Sequence, residues 1–308
     1  MGELEFKGPD AVALVQKIIT NDAGRLNVDQ ALYSAMCDER GILLDDLVCF
    51  RLAADHFIWV VNVTKTDDDY QWVLRHAQGM DVQVSNISTD MALLALLALQ
   101  GPASREVLQR ITKADLAPLK YYWLTQTVIH TEHAEVSCII SRTGYTGERG
   151  YEIMVARDLA PWVWDALLMA GRPLGIVPQG VAARESLRTE AGYLLNGNDM
   201  DAQTNPIEAG LGWVVKLSKD FIGRDALARI EADGVKRKTG AEHRARSALN
   251  LSLDAGCDLW GVGRSAGPAE NRPSWAPAAG YPWSPARCHR SRERSDAADP
   301  SGPCRRVA

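Results

Sequence analysis

The spacing of the apolar residues over positions 1–240 changes repeatedly between a period of two and a period near 3.6. This alternation restricts the fold class of the chain. Positions 30–37 have the short apolar runs of a strand, whereas positions 9–20 have helical spacing. Interleaved short strands and helices are typical of an α+β fold. We therefore expect antiparallel or mixed sheets with packed helices.

The predicted elements follow from the same periodicity. We expect strands at 3–7, 30–37, 42–52, 56–62, 82–88, 92–99, 124–130, 135–141 and 151–156, and helices at 9–20, 64–77, 102–112, 158–170 and 179–193. Strands 30–37, 42–52 and 56–62 form a predicted antiparallel meander. Three acids, Asp67 to Asp69, fall in the first turn of helix 64–77, where they complement the helix dipole, and we interpret them as structural.

The composition changes after about residue 237. Ala, Arg, Ser, Pro and Gly make up 44 of the 68 residues from 241 to 308, and Lys, Ile, Phe and Met are absent there. Such a segment has few periodic apolar residues to bury. We therefore expect a working region over 1–237 and a poorly ordered tail over 238–308.

The net charge and the cysteine spacing exclude several classes of partner and of structural site. A formal charge of -5 supplies no basic excess for nucleic acid or an anionic membrane, so neither is expected as a partner. The 6 cysteines are scattered without ligand spacing, so neither disulfides nor a metal site is expected. The first residues lack the features of a targeting peptide, and we expect a cytoplasmic protein.

Two adjacent acids, Asp45 and Asp46, interrupt the apolar strand over 42–52. Alternation places Asp46 with Leu44 and Asp45 with Leu43 on opposite faces, so one carboxylate must be buried. A desolvated carboxylate has a raised pKa, which suits a general base, but a strand-end acid that caps a turn fits equally well. Spacing alone does not choose between the two acids.

The preceding strand contributes Tyr33. If Glu39 and Arg40 form a two-residue turn, Tyr33 lies directly opposite Asp46, and with Phe50 the three form one wall. Such a wall suits a flat heterocycle that carries amine hydrogens. A three-residue loop that ends in Gly41 would shift the register by one residue and break the pairing. Both registers stay open, as does ordinary cross-strand packing.

Two further segments carry unusual residues. Glycines recur every third position over 142–152, where they either admit a ligand close to the backbone or form a plain connector. Glu152 then faces either solvent or a pocket. Arg184 shares a helical face with apolar neighbours, which is also the pattern of a surface arginine. A long polar loop follows over 196–213 and is a candidate functional segment.

These motifs together resemble the aminomethyltransferase (T-protein) family of the glycine cleavage system. The resemblance covers about residues 1–237 and rests on the order and spacing of Thr20–Asp22, Gly41–Asp46, Gly144–Glu152, Ala182–Gly192, Asn196–Asp201, Asn205–Leu217 and Asp220–Arg224. It implies a folate-binding aminomethyltransferase-type fold. It also implies an enzyme that moves a one-carbon unit from the aminomethyl-lipoyl H-protein to tetrahydrofolate and releases ammonia, without a metal.

The resemblance also implies roles for particular residues. Asp46 is similar to the catalytic aspartate, and Glu152 and Arg184 are similar to substrate-binding positions. The remaining implied residues line the folate pocket: Met1, Tyr33, Phe50, Asn62 and Tyr145.

The chain departs from the family at both ends. Family members carry several dozen residues before the first strand and a C-terminal β-barrel that supplies a further folate-binding arginine, which the tail does not resemble. The alternative interpretations are a folate-dependent demethylase of the same fold, a non-catalytic folate-binding module of the iron–sulfur assembly type, and an inactive fragment. The motif of that module has a cysteine directly before the tyrosine, whereas Gly144 precedes Tyr145 here, so the module is disfavoured.

Overall fold

The computed structural model describes residues 1–88 and 94–235, and this part of the chain has the expected α+β fold. Nine strands form two antiparallel sheets within these residues, and six α-helices accompany them. The tail predicted over 238–308 and the first residues of the strand predicted over 92–99 lie outside the described residues.

The first sheet has five strands in the order β2-β3-β4-β1-β5. The strands are β1 (Gly2–Lys7), β2 (Gln30–Cys37), β3 (Leu43–Ala53), β4 (His56–Val61) and β5 (Gln83–Asn86). The antiparallel meander predicted for the second, third and fourth strands is confirmed. Helices α1 (Ala11–Ile18) and α2 (Thr66–His76) pack on one face of this sheet, where Phe6 and Trp59 are fully buried.

The second sheet has four strands in the order β6-β9-β8-β7. The strands are β6 (Leu94–Gln100), β7 (Leu124–His130), β8 (Glu135–Ser141) and β9 (Gly150–Ala156). Helices α3 (Ser104–Gln109) and α4 (Ala160–Gly171) cover one face through buried aliphatic residues. Two further helices, α5 (Val181–Glu190) and α6 (Arg224–Asp233), follow in the chain.

The uncovered faces of the two sheets meet in a third apolar cluster. Phe50 and Val60 of the first sheet pack there with Leu124 and Met154 of the second. The backbone N–H of Ala31 also donates to the carbonyl of Tyr122 at 2.8 Å, which links the sheets by a hydrogen bond. Burial of this cluster removes apolar surface from water and so holds the sheets together.

The β2–β3 hairpin closes with a three-residue loop, which is one of the two turns that the sequence left open. The N–H of Asp38 donates to the carbonyl of Ile42 at 2.9 Å, which leaves residues 39–41 as the loop. Gly41 has a φ of +77°, a conformation that favours glycine. The Asp38 side chain also accepts from the N–H groups of Arg40 and Ile42, both at 2.9 Å, and rigidifies the turn.

A β-bulge then shifts the hairpin register by one more residue. Tyr33 pairs with Val48, and Ala35 pairs with Asp46, so the direct pairing of Tyr33 with Asp46 that a two-residue turn would give does not form. The loop shifts the register by one residue, and the bulge near Leu44 shifts it by another. Because two shifts restore the original face, Tyr33 and Asp46 lie on the same side as diagonal neighbours.

Helix α6 has no counterpart among the predicted elements, although its sequence lies directly after a recognised motif. Its apolar stripe is short, and Leu227 is its fully buried member. Leu227 packs with Cys37 and Phe221 against the end of the β2–β3 hairpin. The helix therefore supports the hairpin that carries the two adjacent acids.

Within the described residues, no helix has both the length and the apolar character that are needed to cross a bilayer.

The start of α6 yields a test of this support. Gly223 has a φ of +88°, and a Cβ there would overlap the carbonyl oxygen of Asp38. We expect Gly223→Ala to lower the free energy of unfolding by about 2–3 kcal/mol through backbone strain and overlap. Gly175→Ala is the matched control, since φ is +77° and no heavy atom lies within 4 Å. It should cost about 1 kcal/mol. If urea denaturation shows the same loss of unfolding free energy for both variants, the contact between position 223 and Asp38 does not support the hairpin.

Candidate functional site

A cavity of about 810 Å³ lies between the two sheets and collects residues that are distant in sequence. It is bounded by β3, β4, β6 and β9, by α5, and by the loops around residues 121–122, 143–146, 191–194 and 209–213. All eight residues singled out from the sequence line it: Met1, Tyr33, Asp46, Phe50, Asn62, Tyr145, Glu152 and Arg184. Its size falls in the range of about 300–1,000 Å³ found for small-molecule sites.

Asp46 places a nearly buried carboxylate on the cavity wall, with 9% of the residue exposed. Its Oδ2 accepts a hydrogen bond from the Tyr33 hydroxyl at 2.8 Å, and its Oδ1 accepts one from Asn62 Nδ2 at 3.1 Å. Burial, with the nearby charge of Asp45, raises the pKa of Asp46 to about 7. The carboxylate can therefore take up or release a proton near neutral pH.

Asp45 is fully buried and is satisfied by the protein itself. Its Oδ2 accepts from the backbone N–H of Asn62 at 3.0 Å. Its Oδ1 accepts from Nδ2 of Asn62 at 2.8 Å and from Nδ2 of Asn196 at 2.9 Å. Asp46 lines the cavity, whereas Asp45 holds two asparagines, so the structure gives the adjacent acids different surroundings.

Both carboxylates are buried, although alternation required only one, and the bulge corrects the predicted faces of the strand. Leu43 packs in the apolar cluster with Ala35, the residue that pairs with Asp46. Leu44 packs instead against the cluster that contains Leu47 and Cys49. The two leucines have thus exchanged the faces expected for them, because strict alternation does not continue across a bulge.

Aromatic side chains form one wall of the cavity. Tyr33 stacks on Trp213 with ring centroids 5.7 Å apart and an interplanar angle of 22°, and Phe50 is buried beside the cavity. Trp213 was not among the candidates from the sequence. The available signal was a tryptophan within the small-residue end of the long loop, a position where an apolar ring has no obvious core to join.

A polar wall faces the cavity from β9 and the preceding loop. Glu152 accepts a hydrogen bond from the Thr143 hydroxyl, and Thr143 Oγ1 lies 2.9 Å from Ser141 Oγ. Burial raises the pKa of Glu152, while the bond from Thr143 and the charge of Arg184 oppose that shift. Of the two orientations left open for Glu152, the structure shows the one toward the cavity.

The glycine-rich segment makes room for a side chain of the protein. Gln100 Nε2 donates to the carbonyl of Tyr151 at 3.1 Å and to that of Thr143 at 3.3 Å. A Cβ at Gly144 or Gly150 would overlap the amide of Gln100. At these two positions, glycine therefore admits Gln100, which ties the loop to the second sheet, and the loop then presents Tyr145 to the cavity.

Arg184 lies at the edge of the cavity and is not a plain surface arginine. Its guanidinium carbon is 4.4 Å from the centre of the Tyr145 ring, and Nη1 is 2.7 Å from Glu185 Oε1. Its side chain is 39% exposed, so the charge can meet a ligand at the mouth. Arg188, one turn later, is buried against Glu185 and Asp199 and anchors α5.

Two other motifs position the site. Asn21 Nδ2 donates to the carbonyl of Tyr33 at 2.8 Å. The backbone N–H of Leu43 donates to the carbonyl of Thr204 at 2.9 Å. These hydrogen bonds hold β2 and β3 to the segments that contain Asn21 and Thr204. Met1, which directly precedes β1, is half exposed and lines the cavity.

The chemistry of the lining suits a flat, polar heterocycle. Aromatic rings can stack on its faces, and the carboxylates of Asp46 and Glu152 can accept hydrogen bonds from its N–H groups. Across residues 1–88 and 94–235, no group of three His, Cys, Asp or Glu side chains is arranged to hold a metal ion.

The raised pKa of Asp46 predicts a pH-dependent cost in stability. The folded pKa of Asp46, about 7, exceeds the ordinary value of 3.8. The contribution of protonated Asp46 to folding stability is therefore complete below about pH 4 and is lost as the pH rises through 7. The wild type should lose stability over this range, whereas Asp46→Asn should not. We therefore expect the difference in unfolding free energy, variant minus wild type, to rise by about 2 kcal/mol from about pH 5 to pH 8. Urea denaturation at both pH values measures this gain, and parallel pH profiles would contradict it.

This chain is similar to known proteins of one family. Residues 1–219 match the family described as the GCVT N-terminal domain. The chain is 44% identical over 239 residues to an aminomethyltransferase of Desulfitobacterium hafniense (strain DSM 10664 / DCB-2), a match that covers 77% of this chain and 64% of that one. It is 44% identical over 238 residues to an aminomethyltransferase of Thermotoga maritima, with 77% of this chain and 63% of that one covered.

A solved structure confirms the fold. The crystal structure of the glycine cleavage system aminomethyltransferase T from Bartonella henselae is similar, with a TM-score of 0.67 and 32% identity, over 76% of this chain and 61% of that chain. The chain thus spans less than two thirds of the length of these relatives. The resemblance found in the sequence is confirmed, and the chain belongs to the aminomethyltransferase, or glycine cleavage T-protein, family.

Proposed function

We propose that this chain is an aminomethyltransferase of the glycine cleavage system that binds tetrahydrofolate in the cavity between its two sheets. The one-carbon unit would come from the aminomethyl-lipoyl arm of the H-protein, and ammonia would leave. Residues 1–237 form the proposed folate-binding region. The observation that carries this proposal is the nearly buried Asp46 carboxylate on the wall of a cavity with aromatic and polar sides.

The cavity supports tetrahydrofolate as the co-substrate. Tyr33, Phe50 and Tyr145 would contact the planar part of the molecule, and Glu152 would accept hydrogen bonds from the pterin N–H groups. Arg184, at the mouth, would meet a negatively charged or carbonyl group of the folate. Met1 and Asn62 would complete the wall. These groups match a ligand with one flat end and several N–H donors.

Asp46 is the proposed catalytic residue. Tyr33 and Asn62 hold its two carboxylate oxygens at 2.8 and 3.1 Å, so the side chain is fixed before the ligand arrives. Its negative charge would align the reacting nitrogen of the folate and stabilise positive charge that develops nearby. Because its pKa lies near 7, the same group can also exchange a proton as ammonia departs.

The proposed partner is the lipoylated H-protein, since its lipoyl arm supplies the one-carbon unit to this family. The proposed location is the cytoplasm. The cysteines of the described part of the chain, Cys37, Cys49 and Cys138, are buried and free, which is compatible with a reducing compartment.

Two measurements on the full chain test this function. Calorimetry should detect tetrahydrofolate binding, and addition of aminomethyl-lipoyl H-protein should then release ammonia. Asp46→Asn keeps the shape but loses the charge, so we expect it to bind folate within a few-fold of wild type while kcat falls roughly 100-fold. Asp55→Asn, an exposed acid in the β3–β4 turn, is the control and should change neither value.

The possible failures are distinguishable. A well-folded protein that binds no tetrahydrofolate contradicts the site. If the protein binds tetrahydrofolate but does not release ammonia when H-protein is added, it is not a transferase, and a folate-binding module is left. Unchanged turnover in Asp46→Asn would remove Asp46 from the chemistry.

A further inference from the structure

Asp69 is a buried acid that the proposed chemistry does not use. Its neighbours Asp67 and Asp68, in the same turn of α2, are exposed, whereas Asp69 is 2% exposed. The sequence analysis grouped all three as complements of the helix dipole. Asp69 Oδ2 accepts no hydrogen bond from any donor in the described residues. A buried carboxylate oxygen without a donor is costly, so this oxygen needs a physical explanation.

The carboxyl group of Asp69 lies within hydrogen-bonding reach of Asp45. Two buried carboxylates in contact cannot both ionise cheaply, so the pair retains one proton near neutral pH. Three N–H donors from Asn62 and Asn196 favour the charged form of Asp45. The proton therefore belongs on Asp69, whose O–H then donates to Asp45.

The surroundings of Asp69 agree with this assignment. Burial is the largest cause that raises the pKa of Asp69, and the charges of Asp45 and Asp68 act in the same direction. Lys65 and the positive end of α2 favour the ionised form, but Lys65 contributes less than burial does. Geometry and electrostatics thus both place a proton between the two acids.

This proton has a consequence for Asp46 through Asn62. The Asn62 amide nitrogen carries two hydrogens and lies 2.8 Å from Asp45 Oδ1 and 3.1 Å from Asp46 Oδ1. The backbone N–H of Asn62 also donates to Asp45, at 3.0 Å. Asp45 therefore fixes both the backbone and the amide of Asn62, and the second hydrogen of that amide is left to point at Asp46.

We propose that Asp69 and Asp45 are positioning residues for Asp46: protonated Asp69 donates to Asp45, which holds the Asn62 amide so that it donates to the Asp46 carboxylate. The catalytic consequence rests on the proposed function, but the hydrogen-bond chain does not. The chain of contacts runs from α2 through β3 and the end of β4 to the cavity wall, and Asn62 donates to both Asp45 and Asp46.

Substitutions at position 69 separate donation from packing. Asp69→Asn keeps a donor toward Asp45, since an amide N–H replaces the carboxyl O–H, whereas Asp69→Leu keeps similar volume without a donor. Asp67→Leu makes the same change at an exposed site in the same helical turn and serves as the control. Thermal unfolding of each variant checks that it is folded.

The first readout is the protonation state itself. Infrared difference spectra of the full chain at about pH 8 should show a carboxylic acid C=O band that wild type has and Asp69→Leu lacks, while Asp67→Leu retains it. The second readout is hydrogen exchange of the Asn62 side-chain amide by NMR. This exchange should be slow in wild type and Asp69→Asn and at least roughly 10-fold faster in Asp69→Leu.

Neither readout requires folate or turnover, so the positioning chain can fail while the transferase stands, or the reverse. If the chain is active, Asp69→Leu should lower kcat roughly 10-fold with a smaller change in KM, and Asp69→Asn should recover most of the loss. Absence of the acid band, or equal Asn62 exchange in wild type and Asp69→Leu, would overturn the proposal.

Discussion

The burial of two consecutive carboxylates in an apolar strand is the constraint on which the rest of the site depends. An uncompensated buried charge is prohibitively costly, so each acid needs donors that the strand itself cannot supply. Asn62, at the end of β4, supplies both acids, and Tyr33 and Asn196 each supply one. Elements that are distant in sequence must therefore converge on β3 before the acids can be buried.

The convergence explains several features that look unrelated in the sequence. The loop over 196–201 delivers Asn196 to Asp45, and its Asp199 is held by Arg188 of α5, the helix that also carries Arg184. Helix α6 packs on the hairpin loop, and Asn21 fixes Tyr33. The polar network and the cavity are thus products of one arrangement, because the same elements that satisfy the acids also enclose the space.

Much of this could be predicted from the sequence. Regular periodicity located β2, β7 and β8 at their observed bounds, and family resemblance selected eight residues that line one cavity. The hairpin register could not be predicted, because the loop and the bulge each shift it by one residue and leave no periodic signal. Trp213 and Asp69 were missed for another reason: their roles depend on contacts between distant elements, whereas local sequence shows only a loop tryptophan and an acid in the first turn of a helix.

The proposed function requires Asp46 to lie beside the reacting nitrogen of a reduced folate. A crystal structure of the full chain with tetrahydrofolate bound tests this most directly. We expect the pterin ring to lie between the aromatic and polar walls, with a carboxylate oxygen of Asp46 within about 3.5 Å of a folate nitrogen, directly or through one water. Folate bound outside the cavity would rule out the proposed site, and folate bound inside it with Asp46 remote from every folate nitrogen would rule out the proposed role of Asp46.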